Sequence, residues 1–597
     1  MDYDKMRREN IARREAAFDY MLATDPALDM YAYAAVLRLV RGVDAEMAER
    51  QLKRSADWFE LPHPTGRDPR GESDFVALNL LQALYLLYDR LGADTRTSLD
   101  RFFLQRNFVS KFGSENHALM GSVARLLSAQ FYKDRSFEQF GMTATELYAE
   151  AKAYTKEFLD YRARRGWGEF DSCGYNAEDL AILNTLYTYT EDAELKRLAA
   201  MHMDVLLLDM IVDSRYGLHG GAHGRIYPHT ALNSCFMGSR VKFFHTFLYS
   251  YYCYYFGAEG GYPALSMTHT ATILSDYFPS EIVCRVAKNR TYPYENYERR
   301  HLHQSRGFRD VINRELLSSV EGLSIDKYTY VCDDYMLGAV NHQDDYPENN
   351  VGSWYAHHEQ HEWELTLLGR GDGSAKIFSH HPGSPGYYQI HNQWTGDSYC
   401  NCGTHFCTKD TAISMYDIKD EIYVPVKGHM PPEEAYSPKH PGINADIPLT
   451  LFDEKILEEN YIFLRYGKLF VMVWFSNGYH FAKGESADYE ALSDGWKHCF
   501  ICHVDYAENH ASLADFAVAM KQQPIAFDRG RMTVEFLNVK MDYKTRYVDG
   551  KRQIFPYKLF DSPWVQAEYG SGIYRVSDGN ETVIYDFEKG AQYVDRR

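Results

Sequence analysis

Three arginines, a tryptophan, two carboxylates and a tyrosine crowd into the stretch Arg162–Tyr175 (RARRGWGEFDSCGY). Arg162, Arg164 and Arg165 bring positive charge. Gly166, Gly168 and Gly174 keep the segment irregular, because glycine readily takes loop conformations. Trp167 offers a flat face for a sugar ring, and Glu169 and Asp171 offer acid–base or hydrogen-bonding groups. The run from Asp179 to Tyr187 then reads as a helix with an apolar face, so Tyr175 stands where a loop feeds a buried helix. Rigid elements that present polar groups from their ends are a common way to build a site. The competing reading is a plain helix–helix loop.

A second group is Ser114-Glu115-Asn116-His117, just before the apolar run Ala118–Phe131. Ser114 or Asn116 is a natural helix cap, a structural reading that has less use for His117. An amide and an imidazole at a helix start can both hydrogen-bond a carboxylate, assisted by the positive end of the helix dipole. A third group is His219-Gly-Gly-Ala-His223-Gly-Arg225-Ile-Tyr227-Pro-His229. A structural loop has little need for so many titratable groups, and glycines permit close backbone approach to a ligand. His219 and His223 have the spacing of two metal ligands on one helical turn, but Gly220, Gly221 and Gly224 argue against a helix, so no metal is assigned there. A fourth group, His357-His358-Glu359-Gln360-His361-Glu362 with His380-His381, lacks the second histidine of a zinc-protease motif, since Glu362 stands in its place. It reads as a structural metal site, as a loop reaching a cleft, or as a solvated polar loop. No Walker A, no glycine-rich dinucleotide turn and no nucleophile elbow is present.

These groups have to be held by larger elements. From residue 1 to about 290, apolar residues recur at helical spacing. The expected helices are Arg7–Leu22, Met30–Arg41, Ala45–Phe59, Asp74–Leu91, Arg96–Phe103, His117–Phe131, Ala144–Tyr161, Asn176–Tyr189, Ala193–Val212, Leu232–Phe256, Ser266–Phe278 and Glu281–Ala287. Consecutive hairpins of such helices stack side by side, and about six pairs could close into an α/α toroid. Residues 291–318 read as a crossover rich in Arg, His and Tyr. Residues 319–597 read as strands without intervening helix, including Trp363–Leu368, Ala412–Tyr416, Ile456–Arg465, Leu469–Phe475, His498–Val504, Met532–Leu537 and Ile554–Leu559. Asp549-Gly550 and Asp578-Gly579 are hairpin signals. The expectation is an antiparallel β-sandwich domain.

A chain of 597 residues exceeds one ordinary core. Its 45% hydrophobic and 25% charged content is that of a folded globular protein. The net charge of −19 argues against broad nucleic-acid or anionic-membrane binding, while leaving room for a local basic cleft. The 48 tyrosines suit a carbohydrate cleft, although Tyr is equally a good core and strand residue. The N-terminus reads as a charged amphipathic helix rather than a secretory signal, so a cytoplasmic location is expected. Cys400, Cys402 and Cys407 cluster without a fourth partner, and free thiols are the default.

The order of domains, together with Asn116, His117, Tyr175 and the loop carrying His223, Arg225 and Tyr227, resembles the heparinase II/III-like and alginate-lyase-like polysaccharide lyases. That resemblance implies an α/α toroid followed by a β-sandwich. It also implies β-elimination on a uronic-acid glycan with no required cofactor. Asn116 and His117 match the residues that neutralise the uronate carboxylate, and Tyr175 matches the acid–base tyrosine. His223 or Tyr227 matches a proton-transfer partner. In several relatives that second residue comes from the domain junction or the sandwich, where His342–His381 stand. The residue types make chemical sense of this. Neutralising the carboxylate stabilises the enediolate-like transition state, and a Tyr beside Arg225 can act as base and then as acid. Arg225, Arg165, Trp167, Glu169 and His219 are the expected substrate contacts. A structural zinc or calcium ion in the β-domain and a homodimer are further expectations. The alternatives are a glycoside hydrolase using carboxylates among Glu115, Glu169, Asp171, Glu178 and Asp179, and a non-catalytic carbohydrate-binding protein.

Overall fold

A computed structural model describes residues 2–23, 31–57, 73–109, 114–224, 247–257, 265–301, 324–341, 361–368, 375–381, 403–418, 441–483 and 487–596. Helices fill the N-terminal half and antiparallel sheets dominate the C-terminal half. The helices are α1 Tyr3–Leu22, α2 Tyr33–Arg41, α3 Ala45–Ala56, α4 Ser73–Leu87, α5 Ala93–Gln105, α6 Glu115–Phe131, α7 Ala144–Arg165, α8 Tyr175–Tyr189, α9 Ala193–Val212, α10 Phe247–Phe256, α11 Thr270–Leu274 and α12 Glu281–Asn289. Of the expected helix Leu232–Phe256, residues 232–246 lie outside the described residues.

Burial separates these helices into two layers. α4, α6 and α8 are buried on nearly every side, as expected for helices that are apolar all round. They lie side by side in the series α2, α4, α6, α8, α11, while α3, α7 and α9 pack as the returning partners of α2, α6 and α8. Side-chain caps fix the starts of the returning helices. Thr143 and Glu146 form a capping box before α7, and Asp192 accepts from two backbone amides before α9. The starts of α4, α6 and α8 meet at one end of the helical layer, because Asp74 contacts His117 and Asn116 contacts Glu178.

Two short ribbons interrupt the helices: β1 Ser136–Phe137 with β2 Met142–Thr143, and β3 Ser214–Arg215 with β4 Leu218–His219. The second closes through Tyr216 and Gly217, both at positive φ, as a tight hairpin requires. The main strands are β5 Tyr294–His301, β6 Ser324–Val331, β7 Tyr335–Asn341, β8 Trp363–Leu367 and β9 Ala375–His380. They are followed by β10 Gly403–Cys407, β11 Thr411–Asp417, β12 Gly442–Asp446, β13 Glu454–Leu457, β14 Tyr461–Tyr466, β15 Leu469–Phe475, β16 His480–Phe481, β17 Glu490–Asp494 and β18 Lys497–Tyr506. One sheet runs β16-β17-β12-β9-β8-β7-β6-β5 and continues through the short strands between Phe560 and Val594; a second runs β10-β11-β18-β15-β14-β13. Leu337, Trp363 and Ile377 of the first share a core with Tyr416, Val471 and Phe500 of the second.

Several strand expectations are corrected. Ile456–Arg465 is two strands, β13 and β14, turned back by the Glu458–Tyr461 backbone bond. Ile554–Leu559 is not a strand. The sheet half also contains a helix, α13 Leu513–Gln522, which buries Leu513, Phe516, Ala517 and Met520 against the outer face of the second sheet. That spacing is helical, and Ser512 caps it by accepting from the Asp515 amide. The segment read as a crossover opens with strand β5. Strands near the C-terminus return to the helices: Tyr574 Oη donates to the Ala163 carbonyl at 2.7 Å and Tyr585 Oη to Asp204 at 2.8 Å. Among the described residues no helix is long and apolar enough to cross a membrane.

Candidate active site between the helix starts and the sheet

The loop 166–174 lies between two polar clusters. On one side, Glu115 in the first turn of α6 accepts from the Gly168 amide at 3.0 Å and the Glu169 amide at 2.6 Å, and pairs with Arg162 at 2.9 Å. Arg162 in turn donates to the Gly166 carbonyl at 3.1 Å. On the other side, the Phe170 carbonyl accepts from the Gly224 amide at 2.6 Å and the Cys173 carbonyl from the Leu248 amide at 3.1 Å. A buried carboxylate on one side and two backbone hydrogen bonds on the other therefore fix an otherwise irregular glycine-rich segment.

At the helix starts, Ser114 is the N-cap residue of α6, yet its hydroxyl donates to Asn116 Oδ1 rather than capping the backbone. Asn116 is fully buried and its amide donates to Glu178 of α8. His117 Nδ1 lies 2.5 Å from Asp74 Oδ2, with the imidazole side chain 11% exposed. Tyr175 is the first residue of α8; its amide donates to Ser172 Oγ at 3.1 Å, and the residue is partly exposed. Beneath them sits Asp179, fully buried, with no hydrogen-bond partner for either oxygen among the described residues. Burial, then the charges of Glu115, Glu169 and Glu178, push its carboxyl well above the ordinary range.

The second cluster joins the loop to the sheet. Lys327 of β6 is fully buried; its ammonium contacts Asp171 and Asp213 and lies 2.9 Å from Glu298. Lys327 and Glu298 face each other across the β5–β6 ladder. Arg300 bridges Glu298 at 3.0 Å and Asp209 at 2.6 Å. Asn296, on the same face of β5, donates to Asp213 at 2.9 Å and Glu298 at 2.7 Å. Burial pushes the Asp213 carboxyl up to about 6 and disfavours the Lys327 ammonium, while the carboxylates touching Lys327 oppose that. His219 Nε2 lies 3.3 Å from Asp171 Oδ1, and His219 Nδ1 lies 3.1 Å from His223 Nδ1, which is also 3.0 Å from the Asp171 carbonyl. Burial lowers both imidazoles, His223 the further, so both are neutral. His223 and His361 exchange backbone hydrogen bonds of 2.9 and 2.8 Å. His361 Nε2 lies 3.0 Å from Glu364, which Lys376 also contacts at 3.0 Å. Burial works against the Glu364 carboxylate, but Lys376 and His361 hold it low.

The structure brings His219 and His223 into contact, and Asn116 and His117 into adjacent carboxylate partnerships. Arg225 and Tyr227 lie outside the described residues, as do His229, His342, His357, His358, Cys400 and Cys402. Trp167 does not offer a face to a ligand: it is 2% exposed and packs against Phe158 and His202. Arg165 lies over the Tyr161 ring at 4.8 Å, and Glu169 is buried. The glycines of the third group serve packing. A Cβ on Gly220 would strike Met336 and Thr366 of the sheet, and Gly221 at positive φ abuts Thr329 and Gly338. Cys407 is a buried free thiol.

Lys327, Asp213, Glu298 and Arg300 escaped the sequence reading, although Asn296, Glu298 and Arg300 alternate along one strand face. Among the described residues, groups spaced to hold a metal ion are Asp171/Asp213/His219 and Asp171/Asp209/Glu298, both at the junction of helices and sheet. Lys327 already brings a positive charge to this spot. No protein-family model matches the chain, and no curated protein matches it in sequence.

Proposed function

We propose that the protein is a lyase that cleaves a uronate-containing oligo- or polysaccharide by β-elimination, on an α/α toroid closed against a β-sandwich. The observation that carries this reading is the Asp74–His117 pair beside Asn116 where α4, α6 and α8 begin. Asp74 holds the ring through Nδ1, and the partly exposed imidazole is assigned to the substrate carboxylate. Asn116 spends one N–H on Glu178 and has a second. The helix dipoles at the same end favour an anion. Tyr175, partly exposed at the start of α8, is assigned proton transfer at C5 and the leaving oxygen. His223, neutral and with Nε2 lacking a hydrogen-bond partner among the described residues, is the second proton acceptor. In the elimination the C5–H and C4–O bonds break, a C4=C5 double bond forms, and the leaving sugar oxygen takes a proton.

Asp179 favours a second reading. A carboxyl pushed up by burial beside other carboxylates is the kind of group a glycoside hydrolase uses as its acid, and Asp179 lies near Glu115, Glu169 and Glu178. Against it stand the engagement of Glu115 with Arg162 and two amides, and of Glu178 with Asn116. Mass spectrometry of products from a panel of uronate oligosaccharides separates the two readings. Elimination yields fragments whose masses sum to the substrate; hydrolysis adds one water. Products carrying that water would overturn the lyase reading.

A further inference from the structure

We propose that Asp171, Asp213 and His219 hold a divalent metal ion of the zinc class where the helices meet the sheet, a site that stands apart from the lyase chemistry.

Two buried atoms face each other there without bonding. Asp171 Oδ1 and His219 Nε2 are 3.3 Å apart, in side chains 1% and 8% exposed. Neither atom has a hydrogen-bond partner among the described residues. Polar atoms left so are costly, and a carboxylate oxygen and an imidazole nitrogen are both metal-ligating atoms. Their separation fits a shared ion: two atoms bound at about 2.0–2.1 Å to a tetrahedral centre stand about 3.3–3.4 Å apart. Asp213 completes the set, since Asp171, Asp213 and His219 each place a ligating atom within 4.8 Å of the others.

The charges point the same way. Among the described residues, Asp171, Asp209, Asp213 and Glu298 share Lys327 and Arg300. Ionised, these four carboxylates exceed the two cations by two charges in a buried site, and one divalent ion balances them. Lys327 does not take the ion's place. Its ammonium contacts Oδ2 of Asp171 and Oδ2 of Asp213, and each carboxylate oxygen has two acceptor positions. Lys327 and Asn296, which donates to Asp213 at 2.9 Å, then serve as the outer contacts that orient ligating carboxylates. An imidazole nitrogen among the ligands suits zinc and its first-row neighbours better than calcium or magnesium, which take oxygen.

The three ligands come from the loop 166–174, the C-terminal end of α9 and strand β4. The ion would tie the loop that leads into Tyr175 to the helix and hairpin behind it.

The test strips the full chain with EDTA, adds an equimolar amount of zinc chloride, removes loose metal by gel filtration and counts the zinc by elemental mass spectrometry. Wild type should retain zinc in equimolar amount. Competition with a chromophoric chelator should show His219→Ala and Asp171→Asn binding it more than about 100-fold more weakly, since removing even an outer contact costs about 10–100-fold. A wild type that retains no zinc, or a folded His219→Ala that keeps it with unchanged affinity, would overturn the proposal. If the variants do not fold, anomalous diffraction at the zinc edge from zinc-loaded wild-type crystals decides. A peak between Asp171, Asp213 and His219 is expected, and a peak only elsewhere overturns the site. All of this is read without substrate, so failure of the lyase reading and failure of the metal site are told apart.

Discussion

The two polar clusters flanking the loop 166–174 are built on opposite terms. At the helix starts, His117 pairs with Asp74, and His117 and Tyr175 retain some exposure. At the junction, Asp171, Asp209, Asp213 and Glu298 share Lys327 and Arg300, all buried. A partly exposed group can meet a substrate; a charge buried among its counter-charges mainly fixes geometry, and leaving it unpaired is expensive. The two kinds of group are thus expected to fail differently when altered: the helix starts through activity, the ion cluster around Lys327 and Arg300 through stability.

The largest expected effect is catalytic. His117→Ala and Tyr175→Phe should each lower kcat/KM by roughly 10²–10⁴-fold with little change in the urea midpoint of unfolding. A loss of stability without a specific loss of rate would erase the distinction between the clusters. At the junction, Lys327→Met removes the cation from Asp171 and Asp213, leaving Glu298 only Arg300, and should cost about 3–5 kcal/mol in urea unfolding. A cost below about 1 kcal/mol would show that the junction carbonyls and amides, rather than the ions, hold the two halves together.

A smaller effect sharpens the fate of Trp167. Trp167→Phe should destabilise by about 1–3 kcal/mol and leave KM unchanged, because the indole packs on Phe158 and His202. A raised KM with unaltered stability would restore Trp167 to the substrate. The smallest effect is in pH. Burial pushes His202 down to about 3, so the unfolded chain binds its proton first. Its contribution is complete above about 6.5 and falls as pH drops, by about 1.4 kcal/mol per unit. Asp213, raised to about 6, has the opposite sign: its contribution is present below its unfolded value and lost as pH rises through 6. Urea unfolding followed from pH 6.5 to 4.5 should therefore lose less stability in His202→Leu than in wild type. Equal slopes would mean that His202 does not stay neutral.

The helical half was legible because its signal is local. Apolar spacing placed α1 to α9 to within about a turn of each end, with larger departures only where a 3-10 turn or a shortened first turn intervened. Asn116, His117 and Tyr175 were visible for the same reason, as polar groups at helix starts. Trp167 was misread because exposure depends on partners far along the chain: Phe587 completes the aromatic group around His202. The junction ions were hidden likewise, since nothing near Lys327 in sequence announces Asp171 or Asp213. In the sheet half, α13 carried a readable helical period that the surrounding strands obscured.

The most direct test of the central claim is ultraviolet absorbance during incubation with uronate oligosaccharides, for wild type, His117→Ala and Tyr175→Phe. β-Elimination creates a double bond conjugated with the carboxylate, and hydrolysis does not. A rising signal in wild type that both variants abolish is the predicted result. New reducing ends without any rise in absorbance would contradict the lyase and turn attention to Asp179 and its neighbouring carboxylates.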